Sequence, residues 1–207
     1  MTLAGQLAAG AAQLGLSLSP QAQKQLLDFL ALLEKWNRVY NLTAVREPAQ
    51  MVTQHLLDCL AIVPHIDASN ILDVGSGAGL PGIPVAVALP QAKVTLLESS
   101  QKKATFIRQV LIELKLDNAV IERSRVESWH PAQTFDLIVS RAFADLGEFA
   151  ERAGHLLAPG GALAAMKGAY PHEELSRLPR GFRLRAAHLL TVPGLDAARH
   201  LMIIARD

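Results

Sequence analysis

The stretch Asn70-Ile71-Leu72-Asp73-Val74-Gly75-Ser76-Gly77-Ala78-Gly79-Leu80-Pro81-Gly82 organises the rest of the chain. Ile71 to Val74 reads as a short buried strand, the glycines as a tight turn, and Ile83 to Leu89 as the helix that follows. A strand feeding a glycine turn that opens a helix is a recurring nucleotide-cofactor cradle. The glycines permit positive φ and let a ligand approach where a Cβ would collide. The dinucleotide fingerprint is G-x-G-x-x-G, but the run here is Gly75-x-Gly77-x-Gly79, preceded by Asp73. An acid at the strand end and a tight G-x-G-x-G turn suit a cofactor with an amino-acid end, such as S-adenosylmethionine. The bland alternative is a turn and nothing more.

A second acid argues for the cradle. Ala92-Lys93-Val94-Thr95-Leu96-Leu97-Glu98 reads as the next strand, and Glu98 ends it about 20 residues past the turn, where a ribose-binding carboxylate belongs. Nicotinamide enzymes share this acid, so it supports a ribose without choosing between cofactors.

The chain has 207 residues, 50% of them hydrophobic, enough for one well-buried domain and an appendix. A single cysteine, Cys59, excludes an internal disulfide and fits a reducing compartment. The apolar run Leu7 to Ala12 has no lysine or arginine before it and is interrupted by Gln6 and Gln13, so it does not read as a signal peptide. No window approaches the ~20 apolar residues of a membrane span, and the seven histidines show no metal-ligand spacing. A cytoplasmic protein, with neither membrane nor metal, is the expectation. The net charge of +1 argues neither for nor against nucleic acid.

Residues 1–66 read as a helical cap and 67–207 as the cofactor-binding domain. Ser19-Pro20 is a helix start, with serine as cap and proline in the first turn. Leu26, Phe29, Leu30, Leu33, Trp36 and Tyr40 form one apolar stripe; core packing is the expected use of the two last, base stacking the alternative. Pro48 opens another helix, in which His55 and Asp58 lie three apart and are spaced to pair.

From Asn70 onward strands and helices alternate, the pattern of a parallel sheet covered on both faces. A helix over Gln101 to Leu116 precedes a strand at Asn118 to Glu122. Phe135 to Ser140 is a fourth strand, then a helix near Leu146 to Leu157. Pro159-Gly160-Gly161 turns into a fifth strand, Ala162 to Lys167. Phe182 to Leu190 and His200 to Ala205 are joined too closely for a parallel crossover and so form an antiparallel hairpin. A mostly parallel twisted sheet ending in such a hairpin is the α/β architecture of the Rossmann-like class I methyltransferases, and this ending decides for S-adenosylmethionine. The switch-point rule gathers Asp73 to Leu80, Glu98, Arg125 to Glu127 and Ser140-Arg141 around one crevice.

These segments together resemble the bacterial small-subunit ribosomal RNA guanine-N7 methyltransferases (RsmG/GidB). The matching pieces are Lys35-Trp36-Asn37, Tyr40-Asn41-Leu42-Thr43, His55-Leu56-Leu57-Asp58, Asp73 to Pro84, Leu97-Glu98-Ser99, Ser124-Arg125-Val126-Glu127, Ser140-Arg141-Ala142-Phe143-Ala144, Met166-Lys167-Gly168 and Arg199-His200-Leu201. Two positions depart from the family pattern: Gln54 where an arginine is common, and Cys59 where a serine is usual. The resemblance implies transfer of a methyl group from S-adenosylmethionine to N7 of guanosine 527 in 16S ribosomal RNA, with the RNA expected within a small-subunit particle. It implies cofactor contacts at Gly75, Leu80, Val126, Glu127 and Arg141, to which the reading of the turn adds Asp73, Gly77 and Glu98. The run that amino-group methyltransferases carry after strand four is missing, which fits a ring nitrogen that needs no base. Arg141 and Lys167 are the candidates to hold the guanine, through O6 alone because N7 must stay free. Arg177, Arg180, Arg183, Arg185 and Arg199, with Lys24, Lys35, Arg38 and Arg46 on the cap, would meet phosphates or form a solvated basic face. A nicotinamide oxidoreductase lacks its turn here. A non-catalytic binding module of the same fold is the remaining alternative, and label transfer from S-adenosylmethionine to bacterial RNA discriminates it.

Overall fold

The computed structural model describes all 207 residues. Its centre is a seven-stranded sheet in the order β3-β2-β1-β4-β5-β7-β6. The strands are β1 (Asn70–Val74), β2 (Lys93–Leu97), β3 (Ala119–Glu122), β4 (Phe135–Ser140), β5 (Leu157–Lys167), β6 (Phe182–Leu189) and β7 (His200–Arg206). β1 to β5 run parallel; β7 lies antiparallel between β5 and β6. The expected parallel sheet with an antiparallel ending is therefore present. Strand order reverses at β1, which pairs with β2 on one side and β4 on the other. Ligands of open α/β sheets bind outside the carboxyl ends of strands at such a point.

Helices α1 (Leu3–Gln13) and α2 (Pro20–Tyr40) open the chain. Ser19 Oγ accepts from Ala22 N–H at 3.1 Å, so the serine cap and Pro20 start α2 as expected. Residues 48–60 form one helical run: α3 (Pro48–Met51), a π-turn (Val52–Leu57) and α4 (Asp58–Leu60). Such π-turns are rare and concentrate at functional sites. Helices α5 (Gly82–Ala88), α6 (Gln101–Leu114), α7 (Leu146–Ala153) and α8 (His172–Ser176) complete the chain. α6 stops two residues earlier than its apolar pattern predicts, because Lys115 takes a left-handed cap at φ 52°.

β5 starts at Leu157 instead of Ala162. Pro159-Gly160-Gly161 is not a turn before the strand but an irregularity inside it, where the β4–β5 register shifts between Phe135 and Leu137. Gly160 absorbs the kink at φ +78°, and a Cβ on Gly161 would lie 2.8 Å from the Phe135 carbonyl oxygen. One residue of β4, Asp136, here faces four of β5, 158–161, an irregularity that periodicity does not register.

The first helices and the sheet share one core. A single apolar cluster runs from Leu7, Leu26, Phe29 and Leu33 through Met51 and Leu60 to Ile71, Ile83 and Phe106. Trp36 stands 5.2 Å from the Tyr40 ring and 5.5 Å from Phe106, and so packs α2 onto α6. A smaller cluster on the other face holds Leu72, Ile138, Phe149 and Leu163. Phe29 is fully buried against Phe106 at 6.4 Å. Because that contact joins α2 of the cap to α6, which packs on the sheet, Phe29→Ala is expected to cost about 3–5 kcal/mol and to lower one cooperative urea transition. Two separate transitions, with only the first shifted, would mean that the helices fold apart from the sheet.

Candidate functional site

The turn after β1 is built from backbone N–H groups and two carboxylates. Gly75 and Ser76 N–H both donate to the Leu97 carbonyl, at 2.9 and 3.2 Å, which ties the turn to the end of β2. Gly75, Gly77 and Gly79 all have positive φ, at 71°, 58° and 83°. Any side chain there is strained, and a Cβ on Gly75 would also meet the Ala142 Cβ at 2.8 Å. The space above Gly75 is thus bounded by the loop after β4, so a side chain added there disturbs the protein as well as a ligand.

Glu98 caps this turn. Its Oε2 accepts from Gly77 N–H at 2.9 Å and its Oε1 from Ser100 N–H at 2.7 Å. The side chain is buried, yet it lines a cleft with Gly75, Val126 and Glu127. Each oxygen keeps a free lone pair for a hydroxyl. Glu127 is held at the cleft mouth by Arg152, 2.5 Å from its Oε1. Its own backbone N–H, and then Arg152, hold its carboxyl below the usual range. Gly75, Glu98, Val126 and Glu127 therefore line one cleft, walled on its far side by Ala142 and Phe143. Leu80 does not line it: it packs into the main core, 5% exposed.

Asp73 lies beneath. It is fully buried; its Oδ2 accepts from Gly82 N–H at 2.9 Å, and its Oδ1 has no partner. Burial pushes its carboxyl from 3.8 up to about 7, against the Gly82 N–H that favours the charged form. An unpartnered buried oxygen, under a turn that only glycine can make, fits a cationic amino-acid end of a ligand. S-adenosylmethionine meets that description.

Arg141 is placed outside this cleft. Its Nη1 donates to Asp58 Oδ2 at 3.2 Å and to the Gln54 carbonyl at 3.3 Å. Asp58 Oδ1 accepts from Arg199 Nε at 2.8 Å. One buried carboxylate thus joins the π-turned helix, the loop after β4 and the start of β7. His55 does not pair with Asp58, contrary to its spacing. Its Nε2 lies 2.8 Å from Thr43 Oγ1, its Nδ1 has no partner, and burial and then Arg141 lower its pKa. The extra residue of the π-turn separates the two side chains. Arg141 meets the backbone carbonyl of Gln54, so the departure at that position leaves the contact unchanged. Cys59 is fully buried with its thiol pushed up to about 12, hence unreactive.

Lys167 is held too. Its ammonium donates to Ala144 O at 2.7 Å and Phe143 O at 3.5 Å, and pairs with Glu174 at 2.7 Å. Three of the arginines of the C-terminal part are paired: Arg177 with Asp145, Arg183 with Asp207 and Arg199 with Asp58. Arg183 and Arg185 sit on the edge strand β6, where charge also deters edge-to-edge pairing. Lys24 and Arg38 pair with Asp28 and Glu34 on their own helix. A second cavity, between His65, Asp136, Arg185 and His188, opens at the amino ends of the strands and contains none of the residues expected to hold the cofactor or the guanine. No group of three or more His, Cys, Asp or Glu side chains is placed to hold a metal ion. No helix is long and apolar enough to cross a membrane.

Sheet order and the glycine turn over a buried acid define a Rossmann-like class I methyltransferase. The solved structures agree. A glycopeptide N-methyltransferase, MtfA, complexed with S-adenosyl-L-methionine superposes with TM-score 0.62 at 13% identity, over 74% of this chain and 87% of that one. A SAM-dependent methyltransferase from Aquifex aeolicus gives 0.58 at 17% identity, over 76% and 93%. Sequence similarity is narrower. The GidB model, described as rRNA small subunit methyltransferase G, matches residues 22–202. The Ribosomal RNA small subunit methyltransferase G of Nitrosospira multiformis is 53% identical over 213 residues, covering 100% of this chain and 99% of the relative. That of Laribacter hongkongensis is 51% identical over 202 residues, 98% of each. The chain belongs to the rRNA small subunit methyltransferase G family.

Asp73 gives a test with a definite sign. A carboxyl that titrates near 7 when folded and near 3.8 when unfolded stabilises the fold below pH ~4, and that stability is lost as pH rises toward 7. The difference of about 3 pH units corresponds to about 4 kcal/mol. Asp73→Asn keeps an acceptor for Gly82 N–H without the charge. Its unfolding temperature at pH 8 is expected to equal or exceed that of the wild type, while its affinity for S-adenosylmethionine falls. Lower stability at pH 8 with unchanged affinity would contradict both roles.

Proposed function

We propose that this chain methylates N7 of guanosine 527 in the 16S RNA of the small ribosomal subunit, in the cytoplasm, with S-adenosylmethionine as donor. The observation that carries the reading is the family match over residues 22–202, which spans the glycine turn, Glu98, Glu127 and Arg141. The relatives' name specifies small-subunit RNA; the base and the atom rest on the family resemblance and on the chemistry below.

S-adenosylmethionine, when bound, would supply an electrophilic methyl carbon, and its transfer to N7 would leave S-adenosylhomocysteine and cationic 7-methylguanine. N7 offers its lone pair in the ring plane and loses no proton. The site accordingly needs no general base, and the residues act by placement. Gly75, Gly77 and Gly79 bring backbone close to the ligand. Asp73 balances its positive charge, Glu98 accepts from the ribose hydroxyls, and Val126 and Glu127 meet the adenine. Leu80 acts indirectly, as the packed footing of the turn.

Arg141 and Lys167 sit on the substrate side of the cleft. Arg141 Nη2 and Nε make no bond within the chain, so the guanidinium can donate to O6 while Asp58 and Gln54 hold Nη1. Lys167 has spent its three donors on Phe143, Ala144 and Glu174, so its part is to set the loop after β4. The target base must leave its stack, because the deep groove of duplex RNA hides N7.

A 7-methylguanosine is cut by borohydride and aniline. Small-subunit RNA from cells with the gene is expected to break at one site, guanosine 527, that stays intact in cells without it. Identical cleavage patterns in the two would refute the assignment.

A further inference from the structure

A cavity of about 600 Å³ opens at the carboxyl end of β5, next to the cofactor cleft. One short loop walls both spaces: Ala142 and Phe143 line the cleft, Ala144 and Asp145 the cavity. Tyr170 lies on the cavity wall, half-buried, its ring 4.5 Å from His172 and 5.6 Å edge-on from His200. Glu174 also faces it. The Oε2 of that residue accepts from Leu146 N–H at 2.9 Å and from Lys167 at 2.7 Å. Its Oε1 accepts nothing within the chain, and the side chain is 20% exposed.

We propose that this cavity seats the target guanine, stacked on Tyr170 and recognised along its Watson–Crick edge by Glu174. The proposal rests on the guanine-N7 reading and adds the residues that choose the base. Guanine presents two donors side by side on that edge, N1–H and the N2 amino group, and an ionised carboxylate is an acceptor-only partner for them. Adenine shows an unprotonated N1 there, which faces the carboxylate with no hydrogen between, so the same group rejects the wrong purine. The aromatic wall supplies stacking for an unstacked base. The geometry also accounts for the chemistry. N7 lies on the edge of guanine opposite N2, so a base held by its Watson–Crick edge in the cavity turns N7 back over the Ala142–Asp145 wall toward the cofactor cleft. Lys167 positions Glu174 and fastens the same wall through Phe143 and Ala144.

The test compares small subunits reconstituted with guanosine or inosine at the target position. Inosine keeps N7, O6 and N1–H and lacks only the N2 amine. The wild-type chain is expected to lose about tenfold in kcat/KM on inosine, the scale of one hydrogen bond to a charged acceptor. In Glu174→Gln the amide oxygen must face Leu146 N–H and Lys167, so its NH2 meets the base. That variant is expected to fall about tenfold on guanosine and to show no further loss on inosine, with affinity for S-adenosylmethionine unchanged. Tyr170→Ala should raise KM for the particle about tenfold or more, and Tyr170→Phe should restore it. Equal rates of the wild type on the two substrates would overturn the proposal, as would a wild-type guanosine-to-inosine ratio in Glu174→Gln. The wild-type comparison needs no variant, so poor folding of Glu174→Gln leaves it decisive. Failure of the wild type to methylate guanosine at all is a different result and would refute the N7 reading itself.

Discussion

A carboxylate with no solvent around it and one oxygen without a partner is costly to keep, and the centre of this protein is arranged around such a group. Asp73 ends the central strand β1, and its one hydrogen bond comes from Gly82, at the start of α5. That bond closes the glycine turn from below, and a Cβ on Gly82 would lie 2.7 Å from the same oxygen. The turn is then closed from above by Glu98, through Gly77 N–H. Two acids, one from each of two adjacent strands, thus shape a single loop. Residual acceptor capacity on both is what makes the loop a cradle and not merely a turn.

Asp58 is a second buried carboxylate that fixes a loop at the carboxyl ends of the strands. Its carboxylate, 5% exposed, holds Arg141 with one oxygen and Arg199 with the other. Removing a partner from such a buried arrangement leaves an uncompensated charge, so the three segments it joins are fixed relative to one another. One of them is the loop Arg141–Asp145, which separates the cleft from the cavity beside it. The helices at the start of the chain therefore reach this loop through the Asp58 side chain and the Gln54 carbonyl.

The parts of this account that were legible in the sequence are those with a local signal. The glycine turn, the acid about 20 residues beyond it and the closely spaced last two strands each follow from short-range constraints, and the sheet bears all three out. The reading failed where long-range contacts decide. Spacing offered His55 as the partner of Asp58, but a π-turn and two arginines 83 and 141 residues away took its place. Pro159-Gly160-Gly161 looked like a turn because a bulge has the same composition. Glu174 had no signal at all: in sequence it is one charge among several, and only the fold brings it to Lys167 and Leu146.

Under the proposed reading the site works by position, because N7 loses no proton when it is methylated. The most direct test is transfer of labelled methyl from S-adenosylmethionine to small subunits carrying either guanine or 7-deazaguanine at position 527. Replacing N7 by carbon removes the lone pair and little else. The account predicts stoichiometric labelling of the guanine particle and none of the deaza particle. Label in the deaza particle would mean that the methyl goes to another atom, and that a site without a base does not carry out the reaction assigned to it.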